Sequence, residues 1–390
     1  MKLLFVSNLF PDSQEPWRGL DNVTLVHALR ALDPGLDVRV LAFRASLTHY
    51  GVASHLRPRA EDEMLHPHYF WNSYLPKLGG LNHWLFARAL ARAELTLEED
   101  FRPDVILAPW LFPDACAAAM CFRSRKIPLV AVAQGSDVHQ YLGMTMRRRA
   151  ILSLAKCARK IVTRSQDLQR RLISGGANAN QVCTIYNGVD TAVFRPASRE
   201  DARAELGVSV TGKLVLFVGN FLPVKGIDLL MEAFAEVARS LHEPITLSLI
   251  GSGPLEGHIR QQAAELGISQ RVIFVGRQPP SKVARWMQAA DVVSLSSFNE
   301  GVPNVVLESI SSGRPIVTTD VGGIAEIVKP LLGQRFLVPG RESSAFAAAL
   351  TSSIRNPPED QRLHHAALQY SWENCAKNYL ALLNPAGRVG

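Results

Sequence analysis

The sequence predicts an α/β protein built from two doubly wound domains, each a parallel sheet with helices on both faces. Three observations point there. At 390 residues the chain is about twice the usual length of one domain. Short apolar runs alternate with amphipathic helical stretches almost throughout, the pattern of repeated βαβ units. A polar segment with a proline, residues 194–199, separates two such patterned halves.

In the first half the strand-like runs are 3–6, 38–43, 105–108, 129–133, 160–163 and 182–185, with helical spacing between them, as at 22–32 and 84–97. In the second half they are 214–218, 246–250, 272–275, 292–296, 315–318 and 336–338, with helices such as 227–241 and 255–266. The expected domains are therefore 1–195 and 196–370. A final helix over about 371–384 is expected to cross back to the first domain. Residues 49–80 break the pattern: they hold His66, His68, Tyr69, Phe70, Trp71 and Tyr74 among three prolines. Such a stretch reads either as a lid or binding loop or as a satellite core under a loop.

Composition excludes several classes. Hydrophobic residues make up 47% and charged residues 20%, ordinary for a folded chain with a real core. No apolar stretch approaches the roughly 20 residues of a membrane helix, and the first run is too short for a signal peptide. Five scattered cysteines without a C-x-x-C pair point to neither disulfides nor zinc, and fit a reducing, cytoplasmic setting. The net charge of +7 lies wholly in the first half, where 24 Lys and Arg face 17 Asp and Glu. Its clusters include Arg123, Arg125 and Lys126, and then Arg147, Arg148 and Arg149. They read as a solvated surface or as a contact with an anionic membrane or lipid-diphosphate acceptor. Nucleic acid is not expected, because no recognised binding motif accompanies the charge.

In doubly wound sheets ligands bind beyond the carboxyl ends of strands, so the loops there are the candidate site. One runs from Ser297 to Glu308. Pro303 suits a first helical residue, and the amides of Asn304, Val305 and Val306 are then first-turn donors, a ready site for a diphosphate. A carboxylate would repel phosphate but accepts hydrogen bonds from sugar hydroxyls, a task open to Glu300 in the loop and Glu308 inside the helix. The second loop follows the strand ending near Val218. There Gly219 allows close backbone approach and Lys225 is a cation suited to a departing diphosphate.

Together these segments resemble the retaining glycosyltransferases of family 4, which have the two-domain GT-B fold with a cleft between Rossmann-like domains. Glu300-Gly301-Val302-Pro303-Asn304-Val305-Val306-Leu307-Glu308 is similar to the family's E-x7-E run. Further likenesses are 186–190, 321–328 and Ser371-Trp372-Glu373, and in the first domain Ser7–Pro11 with Gly19. Residues 134–138 resemble a motif of a bacterial polysaccharide subgroup. The likeness spans nearly the whole chain and is strongest over 182–328. It implies metal-independent transfer, with retention, from a nucleotide-diphosphate sugar to a saccharide or lipid-linked acceptor, and no cofactor. Glu308 would hold the donor ribose, Glu300 the sugar hydroxyls and Lys225 the leaving diphosphate, while backbone near Arg277 would meet the base. In the first domain Arg18, Asp137 and His139 are candidates near the acceptor.

Two positions depart from the pattern. Asn220 stands where the family usually has an Arg, and Arg18 is a candidate substitute for that phosphate-binding cation. Gln134 stands where a His often precedes the glycine matching Gly135. A dinucleotide-binding reading of Gly251-Ser252-Gly253 fails, since the third glycine comes at Gly257, one residue late, and no acidic residue ends the next strand. An epimerase or hydrolase of the same fold, or a non-catalytic nucleotide-sugar binding protein, are the alternatives.

Overall fold

Strands buried on both faces read as continuous apolar runs, and the first one shows it: Leu3, Leu4, Phe5 and Val6 are all buried. The computed structural model describes residues 1–76, 78–97 and 101–384. Contacts within the chain divide it into two units, Met1–Asn187 with the tail from Trp372, and Gly188–Ser371.

The first unit contains β1 (Lys2–Ser7), β2 (Asp37–Ser46), β3 (Gly51–Val52), β4 (Pro67–Ser73), β5 (Val105–Pro109), β6 (Leu129–Ala133), β7 (Lys160–Thr163) and β8 (Val182–Thr184). Their order in the sheet is β3-β4-β2-β1-β5-β6-β7-β8, and every pair is parallel except β3 with β4. Alternate residues of β1 feed opposite cores. Leu4 and Val6 pack with Phe86, Leu90, Ile151 and Leu168 of the helices on one face. Leu3 and Phe5 pack with Val23, Val26 and Leu29 of the helix Leu20–Leu32 on the other.

The second unit contains β9 (Lys213–Val218), β10 (Ile245–Ile250), β11 (Val272–Gly276), β12 (Val292–Leu295), β13 (Ile316–Thr319) and β14 (Leu337–Val338), all parallel. The order is β11-β10-β9-β12-β13-β14. Counted from the first strand of the unit, this is the 3-2-1-4-5-6 order of a Rossmann-like sheet, whose direction of winding reverses between β9 and β12.

All twelve expected strands form, within three residues at either end. The segment 49–80 differs from its expected irregularity. Residues 67–73 are a strand in register with β2 from Val40↔Pro67 to Ser46↔Ser73, and 51–52 pairs back on it. Histidine, asparagine and a leading proline hide its pattern, but Tyr69 and Phe70 are buried in the two cores. The segment 194–199 packs into the second unit, and the division of the chain falls before it. The Ser311 hydroxyl donates to the Phe194 carbonyl at 2.5 Å and the Gln288 amide to that of Arg195 at 2.8 Å. Arg199 then opens the helix Arg199–Leu206, capped by the Ser198 hydroxyl.

The helix Trp372–Leu383 belongs to the first unit and lies along Leu20–Leu32. It buries Cys375, Ala376, Tyr379 and Leu383 in that core. Tyr379→Ala should therefore destabilise the first unit by about 3–5 kcal/mol, as for other large aromatic deletions. Calorimetry of the full chain would show the lower transition; an unchanged profile would mean that this helix contributes little to the core.

Candidate active site

In the second unit the loops after β9 and β12 leave from the point where the winding reverses, and several bonds sew them together. The Phe298 amide donates to the Val224 carbonyl at 2.8 Å. The Ser296 hydroxyl donates to the Gly226 carbonyl at 2.8 Å, and Thr319 Oγ1 donates to the Ser297 carbonyl at 2.6 Å. This stitching brings Lys225 Nζ to 2.5 Å from Glu300 Oε1. The Ser297 hydroxyl donates to the same oxygen at 2.7 Å. Both contacts fall on Oε1, so among the described residues Oε2 keeps its acceptor capacity. Lysine has three N–H donors, of which Glu300 takes one.

The helix Asn304–Ser311 begins one residue later than expected. Pro303 is its cap rather than its first residue, and the Val306 amide already donates to the Pro303 carbonyl at 3.0 Å. The Val306 amide is thus committed within the helix, and among the described residues the Val305 amide is the first-turn donor left to a ligand. The side chains of Val305 and Val306 are buried, so these two valines can meet a ligand only through backbone. Glu308 lies just over one turn in. It retains some exposed surface, yet its carboxyl sits deep enough among protein atoms that desolvation alone pushes its pKa up to about 7. No described residue hydrogen-bonds that carboxyl.

The other predicted residues of this unit ring the same sheet edge. The Gly219 amide donates to the Ile250 carbonyl at 2.9 Å, and Asn220 is exposed beside it. Arg277, after β11, donates from Nε to Ser252 Oγ at 2.7 Å, tying the loops after β10 and β11 together. Two features escaped the sequence reading. Gly322 lies so close to the Glu300 loop that a Cβ would fall 1.8 Å from the Glu300 carbonyl oxygen, and its φ is +58°. Arg341 donates to the Ser296 carbonyl at 2.9 Å and stacks 3.5 Å over the exposed ring of Phe298.

In the first unit the candidates divide. Gly19 has φ +62°, and a Cβ there would lie 2.2 Å from the Leu9 carbonyl oxygen, so the loop after β1 closes on it. Arg18 belongs to that loop, donating to the Asn8 carbonyl and pairing with Glu15, both at 3.0 Å. Asp137 is not a contact residue. It is fully buried and accepts from the amides of Leu111, Gln134 and Gly135 at 2.8–3.2 Å, so it positions the loops after β5 and β6. Burial raises its pKa against the pull of those amides. The His139 side chain is only 6% exposed and points to Asp167 at 3.9 Å. Gln134 donates to Asn22 at 2.7 Å, in the helix that follows the first loop. Asp114, which the sequence did not single out, takes the amide and side chain of Asn8 at 2.7 Å each.

Two family models match the chain, one in each half. Residues 18–193 match Glycosyltransferase Family 4, and residues 198–370 match Glycosyl transferases group 1. The chain belongs to glycosyltransferase family 4. TuaC of Bacillus subtilis, assigned to teichuronic acid biosynthesis as a glycosyltransferase, is 28% identical over 90% of this chain and 88% of its own. The D-inositol 3-phosphate glycosyltransferase of Nocardia farcinica is 32% identical over 70% of this chain, which spans 62% of that relative's length. Among solved structures, Anabaena HepE in complex with UDP superposes with a TM-score of 0.76, at 22% identity, over 98% of this chain and 99% of its own. The two units of this family 4 glycosyltransferase are thus the two Rossmann-like domains of the GT-B fold.

The state of Glu308 has a measurable consequence. Its folded pKa lies above its ordinary 4.5, so the folded protein holds the proton more tightly than the unfolded chain does. The contribution of this group to stability is full at low pH and is lost as pH rises through about 7. Glu308→Gln cannot ionise. Unfolding followed between pH 5 and 8 without ligand should show the variant gaining on the wild type as pH rises; parallel curves would refute the buried, unpartnered carboxyl.

Proposed function

We propose that this glycosyltransferase moves a sugar, with retention and without a metal, from a nucleotide-diphosphate sugar held by the second unit to a saccharide or lipid-linked acceptor, in assembly of a bacterial envelope polysaccharide. The observation that carries the reading is the pairing of Lys225 with Glu300 where the winding reverses, in the loop that leads into the helix bearing a solitary Glu308. The first-turn amide of Val305 and the two remaining donors of Lys225 suit a diphosphate. Glu300 Oε2 suits hydroxyls of the transferred sugar. Glu308, once ionised, suits the two hydroxyls of a ribose.

In the reaction the bond from the anomeric carbon to the diphosphate oxygen breaks, and an acceptor hydroxyl forms the new bond on the same face. Its proton passes to the departing diphosphate oxygen, giving a nucleoside diphosphate and a glycoside. Charge grows on the diphosphate as its bond lengthens, so donors fixed there in advance lower the barrier. Asn220 donates hydrogen bonds without a charge, which leaves Lys225 as the cation of this loop. The UDP bound by HepE makes UDP-sugars the first donors to try.

The test is a thermal-shift screen with UDP, GDP and ADP and their sugars in EDTA, followed by kinetics with the donor that binds. One base series should stabilise the protein. Lys225→Ala should lower kcat by about 10²–10³-fold, the usual loss for one such donor, with a smaller effect on nucleotide affinity. Glu308→Gln should weaken the nucleotide itself and flatten the rise in affinity that the wild type shows as pH passes about 7. No shift with any nucleotide would reject the donor site and favour a degenerate member of the fold.

A further inference from the structure

The first unit exposes large apolar side chains where the chain runs between two helices. Leu75 and Leu78 lie in the loop after β4, Trp84 opens the helix Asn82–Glu94, and Met144 and Met146 open the helix Thr145–Ala155. They are 37–58% exposed, yet far apart in sequence. Three contacts join them into one patch. The Leu75 amide donates to Asn82 Oδ1 at 2.9 Å, Met146 packs on Gly80, and Arg147 packs on Gly79. The patch is fixed from below: the Arg147 guanidinium stacks 4.1 Å over Tyr141 and 5.4 Å over Phe112.

The charge beside the patch has one sign. Arg148 and Arg149 follow on the same helix, both exposed, and no acidic residue occurs from Tyr141 to Arg159. On a monomer, exposed apolar groups of this size joined in one patch mark a contact site. Tryptophan, leucine and methionine rimmed by arginine are the composition that settles into the headgroup layer of a bilayer. A folded protein partner would instead call for a groove or shaped pocket, and these side chains project from two helix starts and a loop. Among the described residues no helix is long and apolar enough to cross a membrane, so such contact would lie on the surface.

The patch also has a place in the architecture. Residues 74–76 leave the carboxyl end of β4, residues 78–81 lead into the helix Asn82–Glu94, and the stretch from 134 to 145 leaves the carboxyl end of β6. These are the ends where ligands of doubly wound sheets bind. We propose that the surface formed by Leu75, Leu78, Trp84, Met144 and Met146, with Arg148 and Arg149, docks this protein on an anionic lipid bilayer. It thereby presents the acceptor end of the first unit to a membrane-borne acceptor. The docking stands on this surface alone; only the presentation of an acceptor rests on the function proposed above.

Flotation with vesicles tests it on the full chain. The wild type should float with vesicles of phosphatidylethanolamine and phosphatidylglycerol in about 20 mM salt, and be released at about 0.5 M salt, where charges are screened. Pure phosphatidylcholine vesicles should retain far less. Arg148→Glu/Arg149→Glu should cut retention on anionic vesicles at least ~10-fold, since each basic group near such a surface matters severalfold. Trp84→Ser/Met146→Ser should also cut it, and neither pair should change the thermal shift given by the bound nucleotide. Equal retention of wild type and both variants, or none by the wild type at low salt, overturns the docking. A dimer in sedimentation velocity that both variants abolish would make the patch a self-interface and overturn it too. Failure of the nucleotide screen leaves the vesicle result intact, so the two readings fall separately.

Discussion

Strands β9 and β12 lie side by side, and right-handed crossovers carry the chain from them to helices on opposite faces of the sheet. Their outgoing loops must therefore part at the carboxyl edge, and the space between them is where this fold keeps its chemistry. The gap does not set a distance by itself. Backbone and hydroxyl bonds across it do so, from Phe298 to Val224 and from Ser296 to Gly226. Gly322 presses on the Glu300 loop from behind, and Arg341 clamps Ser296 and Phe298 from the side. The short Lys225–Glu300 contact follows from these restraints.

The carboxylates of the two units are kept in distinct states by what surrounds them. Glu300 has a cation and a hydroxyl on one oxygen. Glu308 has no partner and a raised pKa, so its readiness to accept hydrogen bonds depends on pH near neutrality. Asp137 and Asp114 are buried among amide donors and hold loops in place, as a buried carboxyl group can do when N–H groups converge on it. Residue type alone does not separate these roles. Burial and the direction of neighbouring donors do.

Most of the fold was legible because parallel strands buried on both faces leave an uninterrupted apolar run, as in 129–133 and 214–218. Strand β4 was hidden because polar His68 and Asn72 alternate with Phe70, Asn72 being buried although polar, and because a proline begins it. Within the site, Glu300, Glu308 and Lys225 could be read from their spacing around a strand end and a helix start. Their mutual arrangement could not, since the sequence does not show that Lys225 and Glu300 share a bond. Asp137 was a candidate because 134–138 resembles a motif of the polysaccharide subgroup; only the amides converging on it reveal that its carboxyl faces inward. Gly322 and Arg341 act from loops that follow other strands, and nothing near them in sequence marks what they touch.

The helix Trp372–Leu383 closes the core of the first unit, although the whole second unit separates it from the rest of that core. During synthesis the strands β1 to β8 emerge first, but Val26 and Leu29 wait for their last partners. At ribosomal rates of about 5–20 residues per second the delay is on the order of 10–40 s, time in which the second unit can fold completely. The part of the chain that is made first is thus finished after the second unit, and its stability is withheld until the helix Trp372–Leu383 has been made.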